Sequence, residues 1–491
     1  MADQGPLIDP GDPRYPALVR GFNLRWVGSP RYVRVCTSTD DVVAAVREAR
    51  DAGARVTVRG GGHCYEDFVT ENDGGVILDL APMNAVDHDP GTGLYSVGGG
   101  ATLWNVYGEL FKRWGVTLPG GSCYSVGAGG HVAGGGYGLL SRLHGLTVDY
   151  LEAVEVVRVD GSGNVEVVTA SRDGASEDER RMLWAHQGGG GGNFGIVTRY
   201  FFRDLPPAPS QATLLNLAWN WSDLDEESFA SLMTAYGAFL AENSAPGSPY
   251  AGLFTLLHVN QNLPASPQIV LVAQYVGDDA SLLDELEGRL SAGLPGPVPP
   301  TSPTGWQHTL RPTTSAQRLP WLQATQTLNG SGHNVRGKYK SAYMIEPFPE
   351  RQIATIWEWL SPPAQGPSAQ ALLQVDSYGC QVNAVAPDAT AVAQRSSIMK
   401  LQYQAYWSDA SQDDENLAWI RGFYEAMYGP DGPVPDGTMD GCFVNYCDVD
   451  LVGWQRLYYK ENYPALRQAK ALWDPTDAFT HAQSIELPGR A

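Results

Sequence analysis

Cysteine is scarce in this sequence, with six residues among 491. So few thiols cannot form the dense disulfide framework that holds small secreted domains together. The first residues also lack the basic start and the apolar run of a secretory signal. We therefore expect a cytoplasmic, reduced setting, although the even number of cysteines leaves secretion open.

Positive charge is also in short supply, because 33 lysines and arginines stand against 54 aspartates and glutamates, which gives a formal net charge of -21. Nucleic-acid binding depends on clustered basic residues that neutralise phosphates, so no nucleic-acid partner is expected. An anionic membrane surface is disfavoured for the same reason. Since no uninterrupted apolar stretch is long enough to cross a bilayer, no membrane partner is expected either. Nothing in the sequence indicates an oligomeric state.

Several common catalytic signatures are missing as well. The sequence contains no G-x-x-x-x-G-K-[ST], H-E-x-x-H or G-x-S-x-G, which argues against the standard P-loop, zincin and hydrolase classes. His63, Cys64, Cys123 and His131 carry metal-ligating groups, but they lack the tight spacing of a zinc site. We therefore expect no bound metal.

The overall composition is that of an ordinary folded protein, with 43% hydrophobic and 18% charged residues. Because a single core stops growing at roughly 250–300 residues, this length predicts two or three folding units. Residues 37–200 alternate short apolar strands with amphipathic helices, including a helix behind the Thr-Ser-Thr of 37–39 and a hairpin around 160–164. A proline-rich stretch at 205–211 predicts a linker, and longer strands and helices follow it.

Glycine gathers in four places, at residues 59–68, 97–101, 119–138 and 186–195. Glycine lets backbone N–H groups approach a ligand closely, which suits a pyrophosphate or a flat cofactor. One such cluster alone would favour a turn or a close helix contact. Four clusters in one region, with a histidine and a cysteine among them, favour a nucleotide cofactor.

A dinucleotide fingerprint is present by spacing only. Gly190, Gly192 and Gly195 satisfy G-x-G-x-x-G, yet the apolar run that follows them predicts a strand. The Rossmann fingerprint needs a helix at that point, because the phosphate binds at the helix N-terminus. We therefore reject a Rossmann site here.

Several ordered motifs resemble the berberine bridge enzyme-like group of bicovalent FAD oxidases, and the resemblance extends over nearly the whole chain. The motifs are Arg59-Gly60-Gly61-Gly62-His63, Pro119-Gly120-Gly121-Ser122-Cys123, the glycine-rich run of 129–138, Tyr458-Tyr459-Lys460-Glu461-Asn462-Tyr463-Pro464, Trp473-Asp474-Pro475 and His481-Ala482-Gln483-Ser484-Ile485. The sequence is similar above all to bacterial members that oxidise sugar hydroxyls on natural products.

The resemblance implies an α+β fold in three parts. A two-subdomain FAD-binding domain of the vanillyl-alcohol oxidase type would cover residues 28–206. A substrate-binding domain with an antiparallel sheet covered by helices would cover 207–440. A C-terminal segment, 441–491, would return to the FAD domain.

The resemblance also implies covalent FAD, bonded by His63 at the flavin 8α-methyl group and by Cys123 at flavin C6. Histidine and cysteine are nucleophiles suited to such bonds. His131 would hydrogen-bond near the flavin, and Val126 would govern oxygen access, since a valine there goes with oxidases. The further residues expected to contact the cofactor are Arg59, Gly60, Gly61, Gly62, Cys64, Gly120, Gly121, Gly127, Gly130, Gly134, Gly135, Tyr137, Gly195, Ile196, Asn445 and Tyr446.

Two tyrosines are candidates for the catalytic base. The resemblance aligns Tyr446 with the family's catalytic tyrosine and Tyr378 with a second active-site tyrosine. Because the ordinary pKa of tyrosine is about 10, either residue needs a lowered pKa or concerted proton transfer. Asp376, two residues before Tyr378, would share its side of a strand and accept a hydrogen bond from either tyrosine. Tyr137 would form a wall of the substrate site.

Cys442 and Cys447 are interpreted as buried thiols and not as a redox or metal pair, because neither C-x-x-C spacing nor a histidine cluster accompanies them. Compared with the family, Cys447 replaces the proline that usually follows the catalytic tyrosine.

We therefore predict an FAD-dependent oxidase that transfers hydride from a substrate alcohol, a sugar or sugar-like hydroxyl on a natural product, to flavin N5. O₂ would be reduced to H₂O₂. Two alternatives stay open: oxidative C–N or C–C bond formation, ring closure included, on an alkaloid or polyketide, and a non-catalytic small-molecule or sugar-binding protein. The joint presence of His63, Cys123 and Tyr446 disfavours the binding protein, since binding alone requires none of them.

Overall fold

The computed structural model describes residues 5–301, 315–332, 334–362 and 370–489. Within these residues the strands form three sheets. The first sheet has the order β1-β2-β4-β3, with β1 antiparallel and the other three strands parallel. Its strands are β1 (Leu7–Ile8), β2 (Tyr32–Val35), β3 (Val56–Arg59) and β4 (Val76–Asp79).

Two helices accompany the first sheet, α1 (Tyr15–Leu18) and α2 (Thr39–Asp51). The Ser38 side chain accepts a hydrogen bond from the Asp41 backbone N–H and so caps α2. The apolar face of α2 is buried, which confirms the predicted helix.

The second sheet is antiparallel, with the order β5-β6-β9-β7-β8. Its strands are β5 (Val86–Asp89), β6 (Leu94–Gly98), β7 (Leu151–Val159), β8 (Val165–Ser171) and β9 (Ile196–Phe202), and its helices are α3 (Leu103–Trp114), α4 (Ala128–Ala133), α5 (Ser141–His144) and α6 (Glu177–His186). The predicted hairpin is β7–β8. The strand that begins at Ile196 confirms that the G-x-G-x-x-G spacing is not a Rossmann fingerprint.

The third sheet is a seven-stranded antiparallel sheet with the order β13-β10-β12-β11-β15-β16-β14. Its strands are β10 (Gln211–Asn220), β11 (Leu253–Asn260), β12 (Gln268–Tyr275), β13 (Gln317–Pro320), β14 (Arg336–Met344), β15 (Gln370–Ser377) and β16 (Met399–Trp407). The helices of this region are α7 (Glu226–Asn243), α8 (Ser281–Leu290), α9 (Trp321–Thr327), α10 (Glu350–Leu360) and α11 (Asp413–Tyr428).

Helices cover one face of the third sheet. The Tyr236 hydroxyl of α7 lies 2.8 Å from Thr255 Oγ1 on β11. The ring of Tyr403 on β16 packs edge-on against Phe423 of α11, with centroids 5.2 Å apart. Neighbouring residues of a strand point to opposite faces, so the residues on either side of Tyr403 are directed away from the helices. The predicted antiparallel sheet covered by helices is thus confirmed, and with it the α+β class.

The C-terminal segment crosses back to the first part of the chain through α12 (Trp454–Tyr459) and α13 (Tyr463–Trp473). The Tyr459 hydroxyl donates to the Gly189 carbonyl at 3.0 Å, and Lys470 Nζ donates to the Asn193 carbonyl at 2.9 Å. These contacts hold it against the fourth glycine cluster. Short 3-10 helices lie at Thr147–Tyr150, Trp221–Asp223, Cys380–Ala384, Ala410–Gln412 and Lys460–Asn462. None of the helices in the described residues combines the length and apolar character needed to span a membrane.

Candidate active site

A cavity of about 390 Å³ lies where the three sheets and the C-terminal segment meet. Its size is within the range of small-molecule sites, roughly 300–1,000 Å³. The glycine segments form one wall, and the helix-free face of the third sheet forms another. Residues 443–447 of the C-terminal segment close the cavity between these two walls.

His63 lies on the glycine wall, in the loop that follows β3. Its ring stacks on Phe22 with centroids 4.5 Å apart, and its Nε2 lies 2.7 Å from Ser125 Oγ. Burial lowers the pKa of His63 to about 4. The imidazole is therefore neutral at pH 7 and keeps a lone pair for bond formation.

Cys123 lies on the same wall, in the loop before α4. Its Sγ donates to the Gly330 carbonyl at 3.2 Å, and burial raises the pKa of the thiol to about 11. The loops that carry His63 and Cys123 meet at Gly61 and Gly127, where a β-carbon on either residue would collide with the backbone of the other. Glycine at both positions allows the close approach of the two loops.

Tyr446, Lys400 and Asp376 form a polar cluster that faces the cavity from the C-terminal segment and the third sheet. The register of β15 and β16 sets Asp376 directly across from Lys400, and Lys400 Nζ lies 2.6 Å from Asp376 Oδ2. The same ammonium donates to the Tyr446 hydroxyl oxygen at 2.8 Å and lies 4.2 Å from the centre of the Tyr446 ring. The three side chains therefore form one continuous hydrogen-bonded unit facing the cavity.

The pKa values in this cluster are shifted by burial first. Burial lowers the pKa of Lys400, and Asp376 partly opposes that effect. Burial, followed by the negative charge of Asp376, raises the pKa of Tyr446 well above its ordinary value. The hydrogen bond from the Lys400 ammonium acts in the other direction, because it stabilises a phenolate oxygen.

Comparison with known proteins identifies the family. A model of the FAD binding domain matches residues 30–166, and one described as berberine and berberine like matches residues 442–486. The chain is 42% identical to aclacinomycin-N/aclacinomycin-A oxidase of Streptomyces galilaeus, over 98% of this chain and 90% of that protein. It is 39% identical to hexose oxidase of Chondrus crispus, over 97% of this chain and 94% of that protein. The chain belongs to the berberine bridge enzyme-like FAD-linked oxidases.

A solved relative supports the same assignment for the fold. The crystal structure of a glycopeptide hexose oxidase complexed with teicoplanin superposes with a TM-score of 0.90 at 35% identity, covering 98% of both chains. The predicted FAD-binding fold and the prediction of an oxidase are confirmed. As a member of the berberine bridge enzyme-like oxidases the protein is an enzyme, which removes the alternative of a non-catalytic binding protein.

Most residues that the sequence predicted for the site of this oxidase line the cavity together. They are Arg59, Gly60, Gly61, Gly62, His63, Cys64, Gly121, Cys123, Val126, Gly127, Gly130, His131, Tyr137, Gly195, Ile196, Asp376, Asn445 and Tyr446. Within this set, His131 Nε2 accepts from the Gly121 backbone N–H at 3.2 Å, and burial lowers the pKa of His131 to about 4.

Four predicted site residues lie behind the cavity wall. A β-carbon on Gly120 would meet the Tyr107 hydroxyl, and one on Gly134 would collide with Asn445, so close packing requires these glycines. Gly135 has φ 111°, a backbone conformation that favours glycine. Tyr378 is fully buried behind Tyr137, and its hydroxyl donates to the Gln394 carbonyl at 3.1 Å.

Sequence reasoning missed the polar row on the third sheet. Lys400, Gln402 and Gln404 follow one another at every second position of β16 and line the cavity beside Gln374. The alternation of polar and apolar residues in Lys-Leu-Gln-Tyr-Gln-Ala was a readable signal, because it is typical of a strand with one polar face. Among the residues on this polar face, Lys400 matters most for the site, because it contacts both Tyr446 and Asp376.

The residues of the cavity fit FAD. A neutral imidazole and a thiol both reach it, as two bonds to electrophilic flavin carbons require. A β-carbon on Gly130 would meet no protein atom within 4 Å, although Gly130 lines the cavity. A side chain there would fill the space left for the cofactor, which explains the glycine.

Proposed function

We propose that this oxidase converts a hydroxyl group of a sugar or sugar-like part of a natural product into a carbonyl group. The observation that carries the proposal is the Tyr446–Lys400–Asp376 cluster, which lines the same cavity as His63 and Cys123. The names of the relatives, an aclacinomycin oxidase and a hexose oxidase, support a hydroxyl substrate of this class.

Two side chains would hold the cofactor covalently. We assign one bond to His63, whose neutral imidazole carries a lone pair on one ring nitrogen, and the other to Cys123. When bound, FAD supplies the two-electron acceptor for the carbinol carbon and returns the electrons to O₂. Val126 lines the cavity in the loop after Cys123, and we assign it control of oxygen access.

Tyr446 takes the proton of the substrate hydroxyl. Because burial and Asp376 raise the pKa of Tyr446, its action as a general base depends on the Lys400 ammonium, which stabilises the phenolate through the 2.8 Å hydrogen bond and the short distance to the ring. Asp376 favours the charged form of Lys400 at this buried position, because its negative charge opposes the lowering of the Lys400 pKa by burial. Lys400 and Asp376 are thus positioning residues for Tyr446.

The polar row binds the rest of the substrate. Gln402 Nε2 donates to the Tyr65 hydroxyl at 3.3 Å, and Gln404 Nε2 donates to Gln374 Oε1 at 3.1 Å. Amides have both donors and acceptors, so this row suits a ligand rich in hydroxyl groups. Tyr378 stays the second candidate base; its buried hydroxyl favours Tyr446 for the first oxidation.

Flavin retention on denaturation tests the covalent links. Wild-type protein should keep its yellow flavin after acid precipitation, and peptide mapping should find flavin on His63 and Cys123. His63→Ala and Cys123→Ala should each keep one link, and the double variant should release FAD. Cys380→Ser, which changes a buried thiol outside the cavity, is the matched control. Release of FAD from wild-type protein would refute the double attachment.

Release of H₂O₂ tests the substrate class. The purified enzyme should release H₂O₂ with free sugars or glycosylated natural products. The corresponding carbonyl product should appear in equal amount by mass spectrometry. Activity confined to alkaloids or aglycones would contradict the proposal and would favour the ring-closing alternative.

A further inference from the structure

Two cysteine side chains meet on the wall of the cavity. The Sγ atoms of Cys64 and Cys447 lie 3.8 Å apart although 383 positions separate the residues in sequence. Cys64 directly follows His63, and Cys447 directly follows Tyr446. The contact therefore joins the loop of a proposed flavin link to the loop of the proposed base.

This pair differs from the other cysteines of the chain. The thiols of Cys36, Cys380 and Cys442 are buried and donate to backbone carbonyls of Arg34, Asn243 and Ser341. No disulfide joins any two of the six cysteines, all of which lie in the described part of the chain. Cys64 and Cys447 are the two whose sulfurs contact each other, and both line the cavity.

We propose that Cys64 and Cys447 form a peroxide-driven disulfide across the active site. The source of the peroxide rests on the proposed function, whereas the assignment of the two thiols does not. The Cys64 sulfur attacks one oxygen of H₂O₂, the O–O bond breaks, and a sulfenic acid and one water form. The Cys447 sulfur then attacks the sulfenic sulfur, and the departing hydroxide takes the thiol proton as a second water. Two thiols are oxidised, and one peroxide is reduced to two waters.

The surroundings of the two thiols assign their order. Cys64 is half-buried, whereas Cys447 is 8% exposed. The hydrogen bond with Cys64, followed by burial, raises the pKa of Cys447 well above its ordinary value. Since a thiolate is the form that attacks peroxide, Cys64 reacts first and Cys447 resolves the sulfenic acid.

The local backbone permits the bond. An S–S bond is about 2.05 Å long, so the two sulfurs must approach each other by about 1.8 Å. Both cysteines lie in loops outside any helix or strand, where rotation about χ1 and small backbone shifts are tolerated. The disulfide would close a loop of nearly four hundred residues, and we expect the oxidised protein to melt several degrees higher than the reduced protein.

The test treats flavin-loaded holoenzyme with an equal concentration of H₂O₂. Intact mass should fall by two hydrogen atoms, and peptide mapping should find one crosslink between Cys64 and Cys447, which dithiothreitol reverses. Cys447→Ser should lack the crosslink and accumulate a dimedone-reactive sulfenic acid on Cys64. Cys64→Ser should leave Cys447 a thiol. Cys380→Ser is the control and should keep the crosslink.

A second arm separates this proposal from the proposed function. Flavin in the holoenzyme is photoreduced with light and EDTA and reoxidised by air, with and without catalase, so that no substrate is needed. A crosslink that forms with added peroxide but not after photoreduction and reoxidation supports the thiol pair and counts against peroxide release by the flavin. Two intact thiols after both treatments, or wild-type Cys64 oxidised to sulfinic acid without a crosslink, would overturn the proposal. Cys64→Ala serves as a second variant if the serine variant fails to fold.

Discussion

Tyr446 has two charged neighbours whose effects on its pKa oppose each other. Burial, followed by the negative charge of Asp376, favours the neutral phenol. Lys400, which donates to the phenol oxygen at 2.8 Å, favours the phenolate. If Tyr446 is the base as proposed, the balance between these effects sets the fraction of the enzyme that carries the Tyr446 phenolate at a given pH.

Replacement of Tyr446 by phenylalanine removes the proposed base and keeps the ring. General base catalysis contributes about 10²–10⁴-fold, so Tyr446→Phe should slow anaerobic flavin reduction by that factor. FAD attachment should be unchanged. Tyr378→Phe should have a smaller effect on a single oxidation, because the Tyr378 hydroxyl is buried and donates a hydrogen bond to the Gln394 carbonyl. If Tyr378→Phe is inactive and Tyr446→Phe is not, the two roles must be exchanged.

Lys400 should shift the pH profile of the reaction. Without its ammonium the phenolate of Tyr446 loses a stabilising charge, so its pKa rises and more alkaline solution is needed to form the base. In Lys400→Met the rise of kcat with pH should therefore move to higher pH, whereas Lys400→Arg should keep it near the wild-type position. Rates of H₂O₂ release across a pH series measure the shift. An unmoved profile in Lys400→Met would show that Lys400 does not act on the base.

At the scale of elements, the loop of 439–450 runs along the edge strand β14. The Tyr343 backbone N–H donates to the Gly441 carbonyl at 2.8 Å, and the Asp440 N–H donates back to Tyr343 at 2.9 Å. Further along, Asp448 binds Lys338 and Lys340 of β14 at 2.6 and 2.7 Å. Tyr446 lies between these two attachments, so the edge strand positions the loop that carries the proposed base.

Asp448 should therefore matter for stability. Its side chain and those of both lysines are buried, and a buried charge left without any partner costs about 3–5 kcal/mol. Glu66 and Asp450 still contact these lysines, so Asp448→Asn should lower the free energy of unfolding in urea by less than that full cost, by about 1–3 kcal/mol. Glu242→Gln, which breaks an exposed pair with Arg289, should have no measurable effect. Equal stability of Asp448→Asn and wild type would contradict the role of this network.

Local elements were predictable from sequence and long-range pairings were not. The cap at Ser38 and the turn at 160–164 carry their own signals, so α2 and the β7–β8 hairpin could be predicted. His63 and Cys123 followed from ordered motifs. The alternation in β16 marks Lys400 as part of a polar face, but its proposed role could not be predicted, because that role depends on the register that sets it opposite Asp376 and on a loop that reaches it from the C-terminal segment. The contact of Cys64 with Cys447 depends on the same kind of distant pairing.

On the scale of the whole molecule, the cavity belongs to no single part of the chain. All three sheets and the C-terminal segment contribute residues to its walls. The cofactor that fills it should therefore bind only when all these parts are folded together, and its binding energy should stabilise the whole structure.

The His63→Ala/Cys123→Ala double variant can test this coupling. Its FAD should be removable, and added FAD should raise the Tm in a concentration-dependent way. At one hundred times the Kd the expected stabilisation is about 2.7 kcal/mol. Riboflavin, which lacks the pyrophosphate and the adenosine, is the matched ligand control and should stabilise less. A Tm independent of bound FAD would contradict a shared site.

The third sheet places two functions on its two faces: one face packs the domain, and the other lines the cavity. Leu401, Tyr403 and Ala405 of β16 are buried away from the cavity, while Lys400, Gln402 and Gln404 face it. Mutations at the cavity-facing positions can therefore change which molecule is recognised while the helix-covered side keeps the domain folded. This arrangement would make the protein evolvable: substitutions at Gln402 and Gln404, which we propose to contact the substrate, should change specificity without first lowering stability. Lys400 would keep its proposed role beside Tyr446 while they change.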